Sequence, residues 1–286
     1  PLKLEVNEYT YKLAMALLVD HEEHHGVPFG ARRATFAGRM IQPSTKMSPP
    51  FARMNLAENQ KLFSAYHLNK ETFPWYRREL DKYQPKELIG YPSALCDLAN
   101  HYQENRESPR FIPEAIITNS ETVLEWQREL IEKVFQCEIK DYYGTAEYLI
   151  FAGQEGKEYR VNPMIGIAEL AQFDCETFSG ELVTTTLENR CMPLLRYSIG
   201  DTAQISFKAR QNDTLKIDFF SRVAGRIDDY IVSHDGRKIG RIDHIFKGLQ
   251  DIKEAQVIQR KECCIIKVVL KKNANRDLIT KSILEK

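Results

Sequence analysis

Two short runs in this chain carry side chains able to do chemistry. His21-Glu22-Glu23-His24-His25 fits the H-E-x-x-H pattern, which sets two histidines on one helix face as zinc ligands with a glutamate as general base. Against that reading, Gly26 and Pro28 stop the helix directly after the second histidine, and no third ligand follows at a familiar spacing. Histidines in a last helical turn are also favoured by the helix dipole alone. A zinc hydrolase using His21, Glu22 and His25 is therefore a remote expectation. The second run, Tyr142-Tyr143-Gly144-Thr145-Ala146-Glu147, sets aromatic, hydroxyl and carboxylate groups together where an expected strand ends. Alone, it also reads as a tight turn bent at Gly144 with Glu147 in solvent. Downstream, Asp201 closes the stretch Pro193-Leu194-Leu195-Arg196-Tyr197-Ser198-Ile199-Gly200-Asp201. One ionised carboxylate can accept two donors side by side, although a Gly-Asp pair is also a common turn. Gly225-Arg226-Ile227-Asp228-Asp229 adds a guanidinium and two carboxylates, or a surface turn with an ion pair. Asn119-Ser120-Glu121 is a polar loop that would serve equally as a helix cap. The sequence has no G-x-S-x-G elbow and no G-x-G-x-x-G.

The elements that must position these groups follow from periodicity. Leu13, Leu17 and Leu18 mark an amphipathic helix over 6–22, and a Pro, Ser and Gly-rich loop follows at 38–50. Helical patterns recur at 56–68 and 71–80. Then 87–90 reads as a short buried strand, Pro92-Ser93 opens a helix, 114–118 repeats the strand, and 121–135 carries Val123, Trp126, Leu130 and Val134 on one helix face. A third strand at 137–142 completes the rhythm. Strand and helix alternating in this way predict a parallel sheet with right-handed crossovers. Ligands bind such sheets where the strands end and their loops diverge, which is where Tyr142 to Glu147 fall.

After Glu147 short strands separated by turn residues are expected at 159–161, 165–170, 180–187, 194–197, 202–207 and 215–219. From about Gly225, strands at 229–233, 254–259 and 264–270 precede a helix from Arg276. The expected class is α/β: a large domain over 1–223, with a parallel α/β sheet plus a small antiparallel, β-barrel-like region. A hinge at 224–230 and a small, truncated α+β C-terminal domain at 231–286 follow.

With 286 residues, 43% of them hydrophobic and 28% charged, the chain can bury a sizeable core. Lysines plus arginines equal aspartates plus glutamates at 40 each, so no overall field attracts nucleic acid or an anionic membrane. The six cysteines include no C-x-x-C pair, which suits a reducing cytosol. No apolar run approaches the ~20 residues that span a bilayer, and no charged-then-apolar leader opens the sequence. A cytoplasmic protein with neither nucleic-acid nor membrane partners is expected. The start at Pro1, without Met, reads as a fragment.

Taken in order, Tyr142 to Glu147, Gly180-Glu181-Leu182-Val183-Thr184-Thr185-Thr186, the stretch ending at Asp201 and Gly225 to Asp229 resemble the motifs of the adenylate-forming ligases. Within them the chain resembles the branch of phenylacetate-CoA ligase and the CapK-like proteins linked to capsular polysaccharide synthesis. The resemblance runs from about Gly38 to the C-terminus and is strongest over 117–245. It implies ATP-dependent activation of a small carboxylic acid as an acyl-adenylate, followed by transfer to a thiol such as coenzyme A. Carried over by position, it puts Tyr143 against adenine, with Tyr142 and Gly144 beside it, and borders the adenine with Asn119, Ser120 and Glu121. Thr145 falls to the phosphate, Glu147 to Mg2+, Asp201 to the ribose hydroxyls, Arg226 to the nucleotide and Asp228 to the hinge of a C-terminal lid. The family pattern is Tyr-Gly, any residue, Thr, Glu; here the hydroxyl comes one position early, and Ala146 stands in its place. The family's phosphate loop and late catalytic lysine are not visible and are expected beyond the ends of a fragment. A chain so placed would bind AMP yet catalyse poorly, which gives the alternative of a nucleotide-binding or scaffold protein of capsule synthesis. A homodimer is left open.

Overall fold

In the computed structural model, short apolar strands alternate with amphipathic helices through the first half of the chain, as the periodicity requires. Described are residues 4–43, 46–206, 216–224, 230–232, 238–240, 245–246, 249, 251–260, 263–271 and 274–284. They divide into two units, Pro1–Ala224 and Gly225–Lys286.

Helix α1 (Glu8–His24) begins at Asn7, whose side chain accepts from the Thr10 N–H at 2.7 Å. Strands β1 (Arg33–Ala37), β2 (Ala52–Asn55) and β3 (Gln60–Ser64) follow, then α2 (Phe73–Tyr83), β4 (Glu87–Gly90), α3 (Pro92–Glu104), β5 (Ala115–Thr118), α4 (Glu125–Phe135) and β6 (Ile139–Gly144). The strands β3, β1, β4, β5 and β6 lie side by side in parallel. Strands β7 (Phe151–Glu155), β8 (Glu158–Val161) and β13 (Phe219–Phe220) extend the sheet antiparallel beyond β6, and β2 closes the other edge, nine strands in all. Every residue of β4 and β5 is buried, as central strands covered on both faces must be. One face packs Phe36, Leu88 and Ile116 against Tyr76, Leu95 and Ile131 of the helices α2, α3 and α4. On the other, Ile89 and Ile117 meet Val27 and the half-buried Tyr142.

The remaining strands of the first unit are β9 (Gly166–Asp174), β10 (Ser179–Thr186), β11 (Tyr197–Gln204), β12 (Lys216–Ile217) and β14 (Arg222–Ala224). They form an antiparallel sheet in the order β12-β9-β10-β11-β14. Among the described residues its two edges do not pair with each other, so the barrel-like expectation is corrected to an open sheet. Edge strands of two and three residues offer too short a ladder to close it. In the second unit, β15 (Tyr230–Val232) pairs with β16 (Lys238–Gly240) and β17 (Ile252–Gln259) with β18 (Cys264–Leu270), before α5 (Arg276–Leu284). Among the described residues no helix is long and apolar enough to cross a membrane.

Some local expectations change. The helical pattern at 56–68 is in fact strand β3 flanked by two 3-10 turns, Leu56–Glu58 and Ala65–His67. Asn59, at φ 47°, breaks any helix there, and Phe63 stacks on Phe36 of the neighbouring strand at 4.9 Å. The separate strands expected at 194–197 and 202–207 are replaced by the single strand β11. The helix expected from 121 begins at Glu125. Strands β1, β2, β7, β14 and β16 are additions that the periodicity did not indicate.

Candidate active site

The loops after β4, β5 and β6 leave the same edge of the parallel sheet. Glu121, in the loop after β5, accepts at Oε2 from the Ser93 N–H in the first turn of α3 at 3.1 Å. This ties the loop after β5 to the helix that follows β4. Ser120 holds φ 65°, a left-handed backbone uncommon outside glycine, and its hydroxyl donates to Asn119 Oδ1 at 2.8 Å.

Side chains alternate across a strand, so the two tyrosines at the end of β6 part company. Tyr142 turns inward, stacking on Phe151 with ring centroids 5.2 Å apart, and burial pushes its phenol above the ordinary range. Tyr143 turns toward the five-stranded sheet. Its ring stands edge-on to Phe220 at 5.8 Å, and its hydroxyl donates to Asp201 Oδ2 at 2.6 Å. Asp201 reaches this point from β11 just after Gly200, whose φ of +84° would strain an ordinary side chain although nothing lies within 4 Å of its missing Cβ. Two residues separated by 58 positions thus share one short hydrogen bond.

Thr145 closes the turn after β6. Its carbonyl accepts from the Tyr148 N–H at 3.1 Å and its Oγ1 from the Leu149 N–H at 3.2 Å. Used as an acceptor there, the hydroxyl keeps its own proton for a further acceptor. Gly144 and Ala146 are exposed, and Glu147 is half-buried in the same turn. Arg226 and Asp228 lie outside the described residues.

The histidine run takes a different place. His21 lies over Gly153 of β7, where an added Cβ would stand 2.5 Å from Nδ1, and burial first, then His25, holds its imidazole down at about 4. Glu22 bonds Arg33, which also donates through Nε to Glu87 Oε2 at 2.6 Å. The glutamate that a zinc hydrolase would need as a base is therefore engaged by Arg33. Among the described residues, no group of three or more His, Cys, Asp or Glu side chains is arranged to hold a metal.

Two positions absent from the motif reading belong with the site: Phe220, which backs the Tyr143 ring, and the buried Asp141, two residues before it. Glu138 and Lys140 beside it in the same strand leave Asp141 without a distinguishing signal in the sequence.

No protein-family model matches the chain. Protein CapK of Staphylococcus aureus is 30% identical over 97% of the chain, which spans 62% of that relative's length. A 2-hydroxyisobutyryl-CoA ligase in the postadenylation state, in complex with R3-HIB-AMP, superposes with a TM-score of 0.59 at 16% identity, covering 99% of this chain and 65% of that one. The same ligase with 2-HIB-AMP gives 0.52 at 16% identity over 93% of this chain and 62% of that one. At these identities the superpositions are a likeness of fold. The mixed sheet and the similarity to CapK agree: the chain has the fold of the adenylate-forming ligases and is CapK-like in sequence.

Proposed function

We propose that this chain is a ligase that binds an adenine nucleotide where the loops after β5 and β6 meet Gly200 and Asp201, and activates a carboxylic acid as its acyl-adenylate. A carboxylate is a poor electrophile. Attack of its oxygen on the α-phosphorus of ATP forms the acyl-phosphate bond and releases pyrophosphate, and AMP then serves as a leaving group. A thiol such as coenzyme A would attack the acyl carbon, give up its proton and release AMP.

The observation that supports this best is the meeting of Tyr143 and Asp201 at 2.6 Å across 58 positions. In this reading the Tyr143 ring lies against adenine, Asn119, Ser120 and Glu121 border it, and Asp201 accepts from the ribose hydroxyls. Thr145 donates its remaining proton to a phosphate oxygen. Glu147 suits Mg2+, a hard ion that takes one or two carboxylates and completes its shell with water and phosphate oxygens; bound there, it would neutralise phosphate charge. Tyr142 supports this edge from the core. Arg226 and Asp228 enter as nucleotide contact and as the hinge within 224–230 through the family resemblance. Cytoplasmic location, a role in capsule synthesis and homodimer formation travel with the same reading.

The exposed Ala146 favours a second reading, a nucleotide-binding protein with impaired catalysis, because the family's hydroxyl is missing there.

Calorimetric titration of AMP into the wild type and into Asp201→Asn, both checked by circular dichroism, tests the proposal. A loss of about 1–3 kcal/mol is expected, the worth of hydrogen bonds to a charged acceptor. A folded wild type that binds no AMP would refute it. Pyrophosphate release on adding ATP and a panel of acids separates ligase from binding protein.

A further inference from the structure

One row of side chains runs straight across five strands beneath the proposed nucleotide site. The register pairs Thr118 of β5 with Asp141 of β6. It pairs Tyr159 of β8 with both Gln154 of β7 and Phe220 of β13. Asp141, second in the row, is 6% exposed. Thr118 Oγ1 donates to its Oδ1 and the Tyr159 hydroxyl to its Oδ2, both at 2.6 Å. The Asp141 N–H donates to Gln154 Oε1 at 3.0 Å, and Gln154 is held in turn by Arg128 Nη2 at 3.3 Å. Tyr159 stacks on Phe220 with centroids 5.1 Å apart and planes at 10°. Phe220 is fully buried and presents itself to the edge-on ring of Tyr143, one step along β6 on the same face.

An apolar residue in place of Asp141 would fill this strand without desolvating a carboxylate. Burial pushes its carboxyl up to about 6 against the pull of the two hydroxyl donors, so the acid is held here at a cost. What the arrangement yields is a fixed place for the Tyr159 ring, hence for Phe220, hence for the Tyr143 hydroxyl on Asp201.

We infer that Asp141 and Tyr159 are positioning residues for ribose recognition: through Phe220 they set the Tyr143 hydroxyl that orients the Asp201 carboxylate. The inference rests on the nucleotide reading proposed above and adds to it residues that do not touch the nucleotide.

The test compares AMP with 2′,3′-dideoxy-AMP, which lacks the hydroxyls that Asp201 would read, on the whole 286-residue chain. Tyr159→Phe removes only the phenol oxygen, and with it the hydrogen bond to Asp141 that fixes the ring over Phe220. This variant is expected to fold, to lose about tenfold in AMP affinity, the factor carried by 1.4 kcal/mol, and to leave dideoxy-AMP binding unchanged. Asp141→Asn is expected to behave likewise; if it fails to fold, Tyr159→Phe decides alone. General loosening of the fold would weaken both nucleotides together. A folded Tyr159→Phe that keeps the wild-type ratio overturns the inference and leaves the nucleotide reading standing. A folded wild type that binds no AMP, or does not distinguish the two nucleotides, overturns that reading and this inference with it.

Discussion

Arg33, at the start of β1, stands between Glu22 of α1 and Glu87 of β4, acids that are 1% and 0% exposed. One guanidinium cannot neutralise two buried carboxylates, so the pair favours holding a proton. Burial first, then the charge of Glu87, pushes the Glu22 carboxyl from 4.5 up to about 8. Because the folded value lies above the unfolded one, the stability that this group contributes is complete below pH 4.5 and is lost as pH rises through about 8. Glu22→Gln, which imitates the protonated form, should flatten that decline. At pH 9 it should be the more stable protein by on the order of 2 kcal/mol, read by urea denaturation at pH 5, 7 and 9. A steeper decline in the variant would contradict the assignment. Arg33→Met removes the shared cation and should cost about 3–5 kcal/mol at pH 7. In the sequence, Glu22 stood inside a metal-binding pattern; its true partners lie in strands 11 and 65 positions away, one of them not foreseen.

Among the elements, the central strands were the most legible. Strand β4 falls at 87–90 as expected, because Leu88 and Ile89, set between Lys86-Glu87 and a Gly-Tyr-Pro turn, read as a short buried strand. Its Gly90 is required by a neighbour: a Cβ there would stand 2.2 Å from the Phe36 carbonyl oxygen of β1. Backbone atoms cannot yield as a side chain does, so Gly90→Ala should cost about 3 kcal/mol or more and lower the urea midpoint accordingly. Gly156→Ala is the control, with φ +63° and nothing within 4 Å; it should cost only about 1–2 kcal/mol for the left-handed backbone. The segment at 56–68 misled because Leu56 and Phe63, seven positions apart, fit a helical spacing. Pairing with β1 and β2 outweighed it. Propensity over so short a window is a weak force against a ladder of hydrogen bonds and a buried aromatic stack.

In the first unit as a whole, the two sheets share one core in which Ala152 and Val161 of the larger meet Leu170, Leu182 and Ala203 of the smaller around Phe220. Phe220→Ala should therefore cost about 3–5 kcal/mol, measured by thermal or urea unfolding of the chain. If Phe220 serves as the backing of Tyr143, AMP affinity should fall in the same variant under conditions where it remains folded.

The sequence by itself determined the order of the motifs, the alternation of strand and helix, and the position of Tyr142 to Glu147 at a strand end, because these are local or periodic properties. Tertiary structure decided which tyrosine faces Asp201, since a one-residue change of register exchanges the faces of a strand. It also decided that the antiparallel sheet stays open among the described residues, that Glu22 belongs to Arg33, and that Asp141 lies in a row with Thr118, Tyr159 and Phe220. Each of these depends on contacts between segments far apart in the chain, and no spacing within a single segment encodes them.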